Sequence, residues 1–175
     1  MKNHKEFTSR LPALRIIENE HHLLRYLMEQ WHPNALLFER DDLSVEEARS
    51  ALTQLKEQII SFKEPLRAHL DKEEYFLFPQ LEKYVGDEQG PVVATEEEHE
   101  EIFAFIDHFL HHAADDLEQL TVHEMKDISQ DAAELFEILT FHFVKEESVI
   151  FPMVQDILTN SEQYDLFENM YSSII

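Results

Sequence analysis

Residues 69–79 read HLDKEEYFLFP and residues 142–152 read HFVKEESVIFP. Both follow the skeleton H-x3-E-E-x3-F-P, which sets an imidazole and a carboxylate one helical turn apart on the same face. A nitrogen and an oxygen donor at that spacing can ligate a metal ion or hydrogen-bond each other. Two further segments, EHHLLRYLM (20–28) and EHEEIFAFI (98–106), match as E-H-x-x-[LI]-x-x-[LF]-[MI], and each offers one more histidine. No cysteine is present, which excludes thiolate zinc sites, disulfides and thiol catalysis.

Such side chains act together only if long elements deliver them to one place. Two glycines in 175 residues leave little material for tight hairpin turns, so the elements are expected to be helices. A first helix is predicted from about Leu11 to Trp31, ended by HPN (32–34). Ser44 and Glu47 form a capping box that opens a second, running to about Val85, with Pro65 expected to kink or break it. GDEQGP (86–91) reads as a turn. Thr95 with Glu98 is read as the cap of a third helix that fades near Ala114. Thr121 with Glu124 opens a fourth, ending near Leu158. A C-terminal helix is expected over about 161–173. Four long amphipathic helices with short connections predict an all-α, antiparallel up-down bundle over about 11–158, in a single domain spanning 1–175.

Helical periodicity decides which histidines face inward. On the first helix Leu14, Ile17, His21, Leu24, Met28 and Trp31 form an apolar stripe, whereas His22 falls among charged residues. The second helix gives Ile59, Phe62, Leu66, His69, Glu73, Phe76 and Gln80. The third gives Val92, Thr95, His99, Ile102, Phe103, Ile106 and Leu110. The fourth gives Leu135, Ile138, Leu139, His142, Glu146, Val149 and Met153. His21, His69, Glu73, His99, His142 and Glu146 therefore enter one core. An antiparallel register allows it for the third and fourth helices. A first helix ending at Trp31 reaches only ~15 Å past His21, so the 32–43 loop would have to climb the difference.

Two buried carboxylates without a cation would cost several kcal/mol each, and no lysine or arginine lies on these stripes near them. A bound cation resolves the conflict. Nitrogen and oxygen donors without sulfur suit iron, manganese, zinc or copper, and six are too many for one tetrahedral zinc. Two metals bridged by two glutamates, with two histidines each and a bridging oxide or hydroxide, leave one position per metal for water or a small diatomic ligand. Two iron ions fit this count best, with manganese or zinc as alternatives.

The bulk composition narrows the partners. A net charge of −23 argues against nucleic acid and against an anionic membrane surface. No apolar run approaches membrane-spanning length and the N-terminus lacks a signal-peptide core, so a cytoplasmic location is the default.

With EHHLL, HLDKEEYFLFP, EHEEI and HFVKEESVIFP in that order, the chain resembles the hemerythrin-like, or HHE cation-binding, domain family over roughly residues 11–158. The resemblance implies an antiparallel four-helix bundle around a non-heme di-iron centre, oxo- or hydroxo-bridged. It implies His21, His69, His99 and His142 as iron ligands, with Glu73 and Glu146 as bridging carboxylates. The family's invertebrate oxygen carriers have a second histidine one turn after the third-helix ligand, where this chain has Phe103. The resemblance thus points to the four-histidine, two-glutamate type of bacterial members rather than to dedicated oxygen carriage. Relatives that repair iron–sulfur clusters carry a cysteine-containing N-terminal domain, and that activity is not carried over to a chain without cysteine. Binding or sensing of O2 or nitric oxide, or iron handling under stress, is the expected function. A di-iron oxidase, peroxidase or nitric oxide reductase, or a helical module with a structural metal, is the alternative.

Glu74 and Glu147 are read as outer-face residues or as acceptors that orient a ligand imidazole. Pro79 and Pro152 should bend or close their helices beyond the site. Phe76, Phe103, Phe141 and Phe143 are expected to pack near the ligands as a dry wall. His108, His111, His112 and His123 fall off the inward stripes and are read as a solvated face, with a weak surface metal site at DHFLHH (107–112) as the less favoured alternative.

Overall fold

The computed structural model describes residues 9–86, 90–113 and 117–173. Residues 87–89 of the expected GDEQGP turn, and Ala114 at the expected end of the third helix, lie outside that set. The long helices are α1 (Pro12–Leu36), α2 (Val45–Lys72), α4 (Pro91–His112) and α5 (Val122–Lys145). Two of them are prolonged. A π-helical turn, Glu73–Leu77, links α2 to α3 (Phe78–Val85), and a second, Glu146–Ile150, links α5 to α6 (Phe151–Ile157). α7 (Asn160–Ser172) lies against α1. No strand occurs among the described residues, and the helices pack as an up-down bundle.

The capping boxes at Ser44–Glu47 and Thr121–Glu124 form as expected, with each glutamate accepting from the cap's backbone N–H and each hydroxyl accepting in return. A third, Thr159–Glu162, opens α7. The proposed cap at Thr95 does not form. Pro91, whose fixed φ suits the first helical position, starts α4 four residues earlier. Thr95 is buried inside the helix and donates its hydroxyl to the Pro91 carbonyl at 2.6 Å.

Pro33 and Pro65 do not end their helices either. Each removes one N–H, but the carbonyls left behind belong to the exposed residues Glu29 and Ser61, where water can satisfy them. Buried Trp31, Ala35 and Phe38 hold the end of α1 against the bundle, and His32 stacks on Phe136 at 3.6 Å between ring centroids. α1 therefore continues about 22 Å past His21, and no loop has to climb.

The bundle core is layered. At one end Leu24, Met28, Trp31, Leu66, Phe109, Leu139 and Phe143 belong to one apolar cluster. At the other, Leu14, Ile17, Phe78, Leu81, Phe151, Val154, Leu166 and Met170 belong to a second. Along every long helix the sequence passes from one cluster to the other through a polar position, and those positions form the layer between.

Both π turns begin at the glutamate of that layer. The N–H of Phe78 reaches back five residues to the Glu73 carbonyl, and that of Phe151 to the Glu146 carbonyl. An uninterrupted α-helix would drive the rings of Pro79 and Pro152 into the carbonyls of Tyr75 and Ser148. The wider turn takes in one extra residue and rotates everything beyond it by about 100°. The expected inward stripes fail at this point. Phe76 and Gln80 are only half-buried, Val149 is exposed and Met153 is half-buried; Leu77, Phe78, Leu81, Ile150, Phe151 and Val154 point inward instead.

Candidate metal centre

All six inward polar residues meet in one layer, and each is almost wholly buried. His21 comes from α1, His69 and Glu73 from α2 and its π turn, His99 from α4, and His142 and Glu146 from α5 and its π turn. The two glutamates lie across the middle, each dividing its oxygens between two pairs of imidazoles. Glu73 Oε1 is 3.4 Å from His69 Nε2 and 3.9 Å from His21 Nε2, while its Oε2 is 3.5 Å from His99 Nε2. Glu146 Oε1 is 3.3 Å from His142 Nε2 and 3.8 Å from His99 Nε2, while its Oε2 is 3.1 Å from His21 Nε2. Two donor sets result, His21–His69–Glu73–Glu146 and His99–His142–Glu73–Glu146, each with ligand atoms within 4.8 Å of one another. Donors about 2 Å from one ion stand roughly 3 Å apart, so small rotations close either set.

The donor atoms themselves test the fit. The Nε2 atoms of all four histidines and all four oxygens of Glu73 and Glu146 are buried without a hydrogen-bond partner. Some of these pairs are close, but none is aligned for donation. Unsatisfied buried polar atoms are rare because each costs about 1–3 kcal/mol, more when charged. Eight converging on one spot is the arrangement that metal cations relieve.

The other ring nitrogen of each histidine is held by a carboxylate. The Nδ1 of His21 pairs with Glu147 at 2.9 Å, of His69 with Glu20 at 3.0 Å, of His99 with Glu74 at 2.8 Å, and of His142 with Glu98 at 3.1 Å. An anionic carboxylate can only accept, so each Nδ1 carries a proton and each Nε2 is the nitrogen that faces the centre. The expectation that Glu74 and Glu147 could orient ligand imidazoles agrees with this geometry. Glu20 and Glu98 were not anticipated. Each stands immediately before a lone histidine, but its carboxylate crosses to the neighbouring helix and supports the histidine of the H-x3-E pair there. Lys72 anchors Glu20 at 3.0 Å, Lys145 anchors Glu98, and Arg25 anchors Glu147 at 2.7 Å. The lysines occupy the same place in the two copies, H-x-x-K-E-E, and that shared residue was the available signal.

Burial and neighbouring charge divide the protons unevenly. Burial pushes Glu73 up to about 8, with the Glu146 charge adding to it. Burial would also raise Glu146, but His142, His21 and His99 outweigh it and hold that carboxyl well below its ordinary value. Burial would depress His21 and His99, yet Glu146 and the other carboxylates facing them lift His21 well above the usual imidazole range and His99 to about 9. His69 follows burial down to about 4 despite Glu20.

Aromatic rings enclose the layer, although not all of those expected. Phe151 stacks on His21 and Phe78 on His99, both at 5.6 Å between centroids, and Phe143 lies 4.5 Å from His21. Phe103 is buried beneath the Arg67 guanidinium, 3.4 Å above its ring. Phe76 is only half-buried and Phe141 is 73% exposed, so neither seals the centre. Two grooves reach the His99 and His142 half. One of about 640 Å³ is lined by His99, Phe103, Arg67 and Glu74, and another of about 520 Å³ by His142, Phe141, Ile138 and Lys145. His22 is half-buried on α1 outside the donor sets, and His108, His111, His112 and His123 also stay apart from them.

The family model of the hemerythrin HHE cation binding domain matches residues 12–154. No curated protein matches the chain. Among the described residues, no helix is long and apolar enough to cross a membrane.

Proposed function

The chain belongs to the hemerythrin HHE cation-binding domain family, and on that footing we propose that it is a non-heme di-iron protein that binds or senses O2 or nitric oxide, or handles iron under oxidative or nitrosative stress. The observation that carries this reading is the division of each buried carboxylate between two imidazole pairs, which provides two nitrogen-and-oxygen donor sets sharing both glutamates. His21 and His69 would hold one ion, His99 and His142 the other, and Glu73 and Glu146 would bridge. Iron supplies one-electron redox chemistry and affinity for small diatomic ligands. Manganese or zinc would fit the same donors with different reactivity.

The chain's own residues account for the rest. Glu147, Glu20, Glu74 and Glu98 fix the four imidazole tautomers, so no ring must reorient before it ligates. The paired glutamates offset cationic charge inside a low-dielectric layer. Phe78, Phe143 and Phe151 keep water off the imidazole faces, and the groove beside Phe103 gives a small ligand its approach.

The test is anaerobic addition of ferrous iron, measurement of metal per chain, then admission of O2 or nitric oxide. Two irons per chain and a new near-ultraviolet charge-transfer band are expected. Two bound metals with no spectral response to either gas would overturn the ligand-binding reading. The groove that reaches His99 would serve equally in a second reading, a di-iron oxidase, peroxidase or nitric oxide reductase, in which the same approach supports turnover. Steady-state consumption of peroxide or nitric oxide in the presence of a reductant separates the two.

A further inference from the structure

At the far end of α4 the sequence DHFLHH leaves three histidines that the buried centre does not use. His108 and His112 are one helical turn apart and share a face. Their rings meet edge to face with centroids 4.4 Å apart, whereas His111 projects to solvent and touches only the ring of His112 among these residues. His108 is 59% exposed on its side chain, yet it is not a freely rotating surface group. Its Nδ1 lies 2.7 Å from Asp131 Oδ2 on α5, and that carboxylate is only 19% exposed.

We propose that His108 and His112 form a second, surface metal site, separate from the buried centre, for a borderline transition-metal dication such as Cu2+, Ni2+ or Zn2+.

Several observations meet here. The Asp131 carboxylate accepts from His108 Nδ1, so the Nε2 lone pair of His108 is free to bind. The same imidazole–carboxylate arrangement orients all four histidines of the buried centre. His112 supplies a second imidazole at the i+4 spacing that lets two helical side chains grip one ion. His112 is also the last residue of α4, where the partial negative charge of the helix end favours a cation.

Donor chemistry sets the selectivity. Two neutral imidazoles suit Cu2+, Ni2+ and Zn2+, while Mg2+ and Ca2+ require an oxygen cage that is not built here. The affinity order should rise from Mn2+ through Co2+ and Ni2+ to Cu2+. Binding should be much weaker than at the buried centre, because these side chains are solvated and lose rotamer freedom on closing over an ion.

The experiment is calorimetric titration of Ni2+ into the full chain already carrying its buried metals, repeated with H108A, H112A, H111A and D131N. The wild-type protein is expected to take up one further equivalent. H108A and H112A should each abolish it, H111A should leave it unchanged, and D131N should weaken it about tenfold or more, as loss of an orienting carboxylate does elsewhere. Metal analysis should find the buried content the same in all five proteins, so failure here is separable from failure of the di-iron reading. No further equivalent in the wild type, or wild-type uptake by H108A or H112A, overturns the site. Loss on H111A with retention by H112A overturns the assigned pair.

Discussion

The His21 half and the His99 half of the buried layer descend from matching sequence, E-H before and H-x-x-K-E-E after, yet they are finished differently. One turn beyond His21 stands Arg25, which clamps Glu147 at 2.7 Å and lies over Phe143 at 5.4 Å. One turn beyond His99 stands Phe103, and among the described residues no lysine or arginine reaches Glu74 within ion-pair distance. The His21 ring sits between Phe143 and Phe151, whereas His99 borders the groove of about 640 Å³. A single position, arginine in one half and phenylalanine in the other, separates a locked side from an approachable one. The shared carboxylates thus define the candidate metal layer, and the residues around them differ in how far they open it to solvent.

The largest expected effect ignores the asymmetry. Because both carboxylates face imidazoles of both halves, Glu73→Ala and Glu146→Ala should each lower metal content at both positions, not at one. Elemental analysis after dialysis checks this, and retention of one full equivalent in either variant would mean that the carboxylates are not shared. Next, Phe143→Ala should destabilise the fold by about 3–5 kcal/mol, the range for emptying a fully buried phenylalanine site. Phe103→Ala should cost less, because its ring borders an open groove, but it should speed removal of metal by an external chelator. Denaturant titration and chelation kinetics read the two outcomes.

Orienting carboxylates come third. Glu147→Gln and Glu74→Gln should each weaken metal binding about 10- to 100-fold in a competition titration. The loss at Glu147 should be greater, since Arg25 would also lose the carboxylate charge it clamps. The remaining effect concerns pH. Glu73, raised to about 8, His99, raised to about 9, and His21, held well above the usual imidazole range, must give up protons before they ligate. Apparent affinity should therefore climb as pH rises above about 6, by up to about tenfold per pH unit for each proton displaced. His69, lowered to about 4, is already neutral in that range and adds no slope. Isothermal titration in buffers of different ionisation enthalpy counts the protons released.

Much of this architecture was legible in the sequence because it is encoded locally. Caps at Ser44 and Thr121 are four-residue patterns, and the inward stripes run true from Leu14 to Trp31 and from Ile59 to Glu73. The failures share a different cause. The widened turns after Glu73 and Glu146 break the 3.6-residue period, so the inward assignments beyond them slipped, and Phe78 and Phe151 point inward where Phe76, Gln80, Val149 and Met153 were expected. The proline two residues after each π turn's last residue marked a disturbance but not its kind. Thr95 and Glu98 have the letters of a cap, but Pro91 had already begun the helix, and Glu98 serves His142 on another element. Glu20 is the same case. Its role depends on which helix stands opposite, a property of the assembled bundle rather than of any window along the chain.

The account rests on two cations sharing Glu73 and Glu146, and the direct measurement is anomalous diffraction at the iron edge from crystals of the iron-loaded chain. Two anomalous peaks are predicted, one beside His21 and His69 and one beside His99 and His142, with both carboxylates reaching each. A single peak, or peaks bound to residues outside these six, would contradict it.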